Sequence, residues 1–335
     1  MNRKAVYLLT LGVIGGVMAA TAPTPAAQAA QAAGQKVVLR FGHVLPMTHP
    51  VQPAMEFMAR RVSELSMGTV TVEVIGDGKL GTEPELIAQT KAGTLDMVKT
   101  SAAALEDMVP EMAVFGMPYM FRDEKHFWNT LLGEVGKEIL ASADAHGLHG
   151  LCYYDSGSRS FYTVKKPILK PSDVKGLKLR VLPGMTANTM VRTLGGTPAA
   201  ISYGDLYEAL KNKEVDGAEN NAPSLYTSRH YELARHYSLD EHTRVPDVVL
   251  VSKKVWEGLD PQVRRWIEQA AAESVPFERK LWRERNDEAL KAMEKAGMTI
   301  HRLDREAFAA ATAPMYTAMD GTRVGALAGR IMAAE

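Results

Sequence analysis

The chain of 335 residues has one cysteine. One thiol cannot close an internal disulfide, and no Cys-rich metal site can be built from it. Cys152 sits in the run Gly150-Leu151-Cys152-Tyr153-Tyr154, which reads as a buried strand holding a small core residue. An excess of charge of one sign is also missing, since Lys+Arg and Asp+Glu number 39 each. Such a balance offers no basic field for nucleic acid or for an anionic membrane surface. Common enzyme signatures are absent: no Walker A loop, no G-x-G-x-x-G after a strand, no H-E-x-x-H and no G-x-S-x-G. The nine histidines are scattered. His43 and His49 stand six apart, as do His236 and His242, and that spacing matches no common metal motif. Neither a metal nor a cofactor is expected.

Long apolar runs are confined to the start. Arg3 and Lys4 precede an apolar stretch from Ala5 to Ala20, then Pro23, Pro25 and Ala27-Gln28-Ala29. A basic start, an apolar middle and an A-x-A site make a secretory signal peptide. The alternative, a membrane anchor, needs about 20 apolar residues, and Gly12, Gly15 and Gly16 interrupt this run. Residues 1–33 are therefore expected to be cleaved within Ala29–Gln35, leaving a periplasmic chain that is not membrane-embedded.

What remains is ordinary globular composition, 46% hydrophobic and 23% charged. The length exceeds what one core usually serves, so two lobes are expected. Val37–Phe41 reads as a strand. Val51, Ala54, Met55, Met58, Val62 and Leu65 keep helical spacing. Val70, Val72 and Val74 alternate as a half-buried strand. Thr82 and Glu85 form a capping box, and Thr94–Lys99 reads as a third strand. This βαβαβ order implies a mostly parallel sheet. The pattern restarts after Tyr153, with strands at Leu177–Val181 and Val215–Glu219 and helices at Thr186–Leu194 and from Ser202 to about Lys213. With no linker of low complexity, strands crossing between the lobes should join them. Asp260-Pro261 opens a helix that runs to Gly297. At roughly 36 residues it would be about 54 Å long and would strut both lobes, with a kink at Pro276. Two shorter helices broken there are the alternative. The expected division is 36–156 plus 247–285 for one lobe and 157–246 plus 286–335 for the other.

Three polar clusters fall at strand ends, where ligands bind in open α/β sheets. They are Asp155–Ser160, Lys178–Val181 and Asp216–Asn221. Arg180 is the most informative residue. A guanidinium between Leu179 and Val181 lies close to the core, and Arg is almost never buried unpartnered. Local sequence leaves two readings open: a structural ion pair, or a bidentate clamp on a ligand carboxylate. Taken singly, Arg159 reads as a surface arginine and Asn220 as a turn or cap residue.

The chain resembles the solute-binding subunits of TRAP transporters, the DctP-type family. The resemblance covers nearly all of the mature chain. It is carried by Phe41-Gly42-His43, Gly81-Thr82-Glu83, Gly93-Thr94-Leu95-Asp96-Met97, Met117–Asp123, Gly176-Leu177-Lys178-Leu179-Arg180-Val181 and Val215-Asp216-Gly217-Ala218-Glu219-Asn220, in that order. It implies an α/β, two-lobed periplasmic binding protein fold with the long helix spanning both lobes. It implies that Arg180 grips a substrate carboxylate, that Arg159 adds a second cationic contact, and that Asn220 hydrogen-bonds the ligand nearby. His43, Glu83, Thr100, Ser101, Asn221, His242 and Arg244 are further candidates facing the same cleft, each also open to a structural role. The partners implied are a small organic acid and the TRAP membrane subunits.

No second compact positive site is evident in the sequence. The neutral and acidic groups in 153–160, 219–221 and 240–247 suit a polyhydroxylated acid with one carboxylate. Similarity to the sugar-acid members of the family points the same way, to a hexuronate such as glucuronate or galacturonate. A C4-dicarboxylate or keto acid is the alternative. An enzyme acting on sugar acids through Glu83, Asp155, Glu219 and His242 is a further reading, but nothing fixes two of these at a catalytic spacing. A sensor module reporting to a receptor would share the fold and site.

Overall fold

The computed structural model describes residues 36–334. The expected signal peptide and its cleavage site lie outside them. Eleven strands run in chain order: β1 Val37–Gly42, β2 Val70–Ile75, β3 Met97–Ser101, β4 Leu148–Tyr154, β5 Arg159–Thr163, β6 Lys178–Arg180, β7 Thr197–Ala199, β8 Gly217–Asn220, β9 His236–Thr243, β10 Asp247–Ser252 and β11 Thr299–Arg302. They form two sheets, each the centre of a lobe. The order is β2-β1-β3-β10-β4 in the first and β11-β9-β5-β8-β6-β7 in the second.

The first sheet is mostly parallel, as the βαβαβ order implies, with β10 as its one reversed strand. β1 pairs in parallel with β2 and β3, but β10 runs antiparallel to both β3 and β4. The connectivity explains it. β4 leaves the first sheet toward the second, and β10 returns from it, so the two must point in opposite directions. For the same reason β5 and β9 are antiparallel in the second sheet. The crossings are the short segments 155–158 and 244–246. Gly157 in the first has φ +58°, and a Cβ there would come within 2.8 Å of Trp282 Nε1. Only glycine meets both demands without strain.

The long helix is continuous from Pro261 to Lys295, 35 residues, or about 52 Å at 1.5 Å per residue. Asp260 caps it, accepting from Gln262 N at 2.7 Å. Pro276 lies inside it, and the alternative of two helices is excluded. An interior proline costs roughly 3 kcal/mol, and packing along both lobes opposes that loss. Val263, Ile267, Ala270, Ala271, Val275 and Trp282 enter one hydrophobic core, and Phe277 stacks on Phe57 at 4.7 Å. Ala289 and Met293 enter a second core with Tyr162, Leu206 and Tyr237. The final helix, Arg323–Ala333, packs against the segments Pro110–Gly116 and Glu134–Ser142. Among the described residues no helix is long and apolar enough to cross a membrane.

Candidate functional site

The second sheet presents the C-terminal ends of the parallel strands β6 and β8 to the first lobe. Arg180, the last residue of β6, is 1% exposed. Its Nε donates to Ile201 O at 3.0 Å, and the ring of Tyr203 lies 6.0 Å below the guanidinium. Nη1 is buried without a hydrogen-bond partner, and Arg180 forms no ion pair with a carboxylate among the described residues. Burial lowers its pKa, and Glu219 and Tyr162 nearby oppose that shift. The structural ion pair left open by the sequence is thus not made. A buried guanidinium with a spare donor awaits an acceptor.

Arg180 borders a cleft of about 470 Å³ between the lobes. Arg180, Leu182, Ile201, Tyr203 and Asp205 line it from one side, and Val44, Asp77, Thr82 and Glu83 from the other. A deeper neck of about 30 Å³ shares Val44, Glu83, Leu182 and Tyr203 with the cleft. It adds His49, Lys99, Ser101, Ser156, Arg159, Asn220, Asn221 and Asp247. The lobes meet across the neck. His49 Nε2 lies 3.1 Å from Ser224 Oγ, and Asn221 Nδ2 donates to Ser156 Oγ at 3.3 Å.

Arg159 and Asn220 sit side by side. Ser160 of β5 pairs with Asn220 of β8 in the antiparallel ladder. Arg159 Nε is ion-paired with Glu219, Nη1 donates to Asn220 Oδ1 at 2.7 Å, and Nη2 donates to Glu219 O at 2.8 Å. Burial opposes the guanidinium's charge, but Glu219 outweighs it and raises the pKa. Glu219 in turn drops to about 2, Arg159 and His242 overcoming the cost of burial. Arg159 therefore stands at the neck as a cation already neutralised from behind, unlike Arg180. Asn220 Oδ1 also accepts from Asn221 N at 2.9 Å, which leaves the NH₂ of that amide for a ligand.

The other candidates divide. Glu83 Oε1 accepts from Thr100 Oγ1 at 3.1 Å and Ser101 N at 3.0 Å. Glu83 and Ser101 line the cavity, while Thr100 supports Glu83 from behind. Asn221 lines the neck and caps the helix Ala222–Thr227 through Ser224 N at 2.8 Å. His43 is not brought to the cleft wall. Its Nε2 lies 2.6 Å from Gln52 Oε1, its Nδ1 accepts from Leu45 N, and burial pulls its pKa down to about 4. His242 is sandwiched between Asp240, 2.9 Å away, and Glu219, 3.5 Å away. Burial disfavours its charge, yet those two acids lift its pKa to about 9. It braces the same Glu219 oxygen that Arg159 holds. Arg244 lies elsewhere, with its guanidinium 5.2 Å over Phe127. It lines two cavities, of about 250 and 480 Å³, that share Glu124, Ser158, Glu241 and Arg244. Neither includes Arg180. Neither His242 nor Arg244 lines the cleft or the neck.

Lys99, Asp247, His49, Tyr203 and Ser156 line the site but were not among the candidates. Lys99 was readable in principle. It is two residues before Ser101 on a strand, so both point to one face. Among the described residues no group of three or more His, Cys, Asp or Glu could hold a metal ion.

The chain is similar to known proteins over most of its length. Residues 41–321 match the family described as bacterial extracellular solute-binding protein, family 7. A TRAP periplasmic solute-binding protein from Bradyrhizobium sp. BTAi1, solved with galacturonate, is 40% identical with a TM-score of 0.86, covering 88% of this chain and 99% of that one. One from Chromohalobacter salexigens, solved with D-glucuronate, is 32% identical with a TM-score of 0.86, covering 89% and 100%. The C4-dicarboxylate-binding periplasmic protein DctP of Rhodobacter capsulatus is 29% identical over 95% of this chain and 96% of its own. With the two-lobed fold and the matched span in agreement, the chain belongs to the DctP-type family of extracellular solute-binding proteins.

Proposed function

We propose that this chain is the extracytoplasmic binding subunit of a TRAP transporter, and that it captures a hexuronate by its carboxylate. The observation that carries the reading is the buried, unpartnered Nη1 of Arg180, a residue that lines an interlobe cleft. A carboxylate placed there accepts a charge-assisted hydrogen bond and neutralises the guanidinium. The NH₂ of Asn220 and the outer edge of Arg159 supply further donors from the neck. The two relatives solved with galacturonate and glucuronate support a sugar acid as the occupant. No chemistry is required of the protein. The lobes close around the acid about the crossings at 155–158 and 244–246, and the closed form is what the membrane subunits receive.

Calorimetric titration of the mature protein with D-galacturonate and D-glucuronate tests this. At least one should bind, and Arg180→Ala should weaken it by a hundredfold or more. Removing one partner of a buried pair costs roughly 3–5 kcal/mol, and about 1.4 kcal/mol is tenfold. Binding of neither acid, or unchanged affinity in a folded Arg180→Ala protein, would overturn the proposal.

A further inference from the structure

The wall of the cleft opposite Arg180 carries charge that the carboxylate clamp does not use. Glu83 is 9% exposed, Lys99 2% and Asp247 5%, and all three line the neck. Lys99 Nζ donates to Asp247 Oδ2 at 2.7 Å. The pair is built by register. β3 and β10 are antiparallel with Asp247 opposite Ser101, so Asp247, Ser101 and Lys99 share one face. Glu83 begins the helix Glu83–Ala92 and is held by Thr100 and Ser101 of the same strand.

Each cation in the cleft but one has its own acid. Arg159 has Glu219, and Lys99 has Asp247. Arg180 has none, and Glu83 has no cation within ion-pair distance among the described residues. The site thus offers one vacant positive position and, across from it, carboxylate oxygens with lone pairs to spare. We infer that Glu83 and the Lys99–Asp247 pair form a second recognition surface that accepts ligand hydroxyls and excludes a second carboxylate. The inference rests on the uronate reading of the same cleft and adds the residues that set its selectivity.

The chemistry is asymmetric. A hydroxyl brings a proton that Glu83 or Asp247 accepts, and an oxygen that Lys99 can donate to. An ionised carboxylate brings no proton. It would be buried against one or two like charges, with the Lys99 charge already balanced by Asp247. A site built to bond a hydroxyl strongly rejects an analogue that leaves its buried polar groups unpaired. Selectivity for a polyhydroxylated monoacid over a diacid follows from this wall, while Arg180 by itself grips either.

The test is titration of the mature protein with D-galacturonate, galactarate and succinate, repeated on Glu83→Gln and Asp247→Asn. Glutamine keeps an acceptor oxygen for Thr100 and Ser101, so it preserves the fold where loss of Asp247 strands Lys99. Circular dichroism and a cooperative melt verify each variant. Wild type should hold galacturonate at least about a hundredfold tighter than either diacid. Each variant should weaken galacturonate and shrink that gap by tenfold or more. A wild type that binds a diacid as well as galacturonate overturns the inference while leaving capture of the uronate intact. So does an unchanged gap in the folded Glu83→Gln protein. A wild type that binds none of the three overturns the uronate reading and this inference with it.

Discussion

Glu106 closes the lobes by a contact whose strength should depend on pH. It follows the turn Ala102–Leu105 of the first lobe, and its carboxylate accepts from Thr186 N at 2.9 Å and from the Thr186 hydroxyl. Thr186 lies in the first turn of the second-lobe helix Met185–Thr193. The approach is close enough that Gly184, at φ +148°, could not carry a Cβ, which would meet Ala103 O at 2.7 Å. Burial raises the Glu106 carboxyl from 4.5 to about 7, although the Thr186 bonds favour the ionised form. The sign follows directly. Below about pH 4.5 the group is protonated whether the chain is folded or not, and it costs nothing. As pH rises toward 7 the unfolded chain loses the proton and the folded chain keeps it, so stability falls. Above 7 the loss is complete. At about 1.36 kcal/mol per pH unit it is on the order of 3 kcal/mol. Glu106→Gln keeps an acceptor for Thr186 N, and its NH₂ can donate to Thr186 Oγ1, but it carries no charge to bury. In the ligand-free protein the variant should therefore melt higher than wild type at pH 8, by roughly 5 °C for a chain of this size, and equal to it near pH 4.5. Because other acids titrate in the same range, the difference between the two proteins is the informative quantity. Parallel melting profiles from pH 4.5 to 8 would refute the reasoning.

Two further outcomes follow from the packing. Gly157→Ala should destabilise the fold by about 1–3 kcal/mol, because φ is +58° and Trp282 occupies the space a methyl needs. Urea unfolding measures it, and a loss below 0.5 kcal/mol, an order-of-magnitude threshold for surface changes, would show that the crossing relaxes. Cys152 is buried and its thiol is pushed well above the usual range by burial, then by Glu278. It should resist a thiol reagent at pH 8 in the native protein and react fully in denaturant; rapid native labelling would contradict its placement in β4.

The division between what was legible and what was not follows the range of the interactions. Periodicity located the helix at 51–65, the strand at 70–75 and the capping of the helix at 83–92, because those signals lie within a few residues. The Asp260-Pro261 start and the Gly297 stop fixed the long helix for the same reason. Parallel against antiparallel pairing was not local. β10 runs against its neighbours because it returns from the second sheet after β4 has left for it.

The site divides the same way. Arg180 stood out because an arginine between apolar strand residues is costly wherever it lies, so the sequence by itself determined that it needs a partner. Only the tertiary structure decided that no carboxylate among the described residues pairs with it. It also decided that Arg159 is neutralised by Glu219, that His43 turns to Gln52, and that Arg244 faces other cavities. These are questions of which side chains meet, across 9 residues of chain for His43 and Gln52 and 60 for Arg159 and Glu219, and no periodicity encodes them. The sequence specified where charge would be expensive; the fold specified which charges already had a counterpart.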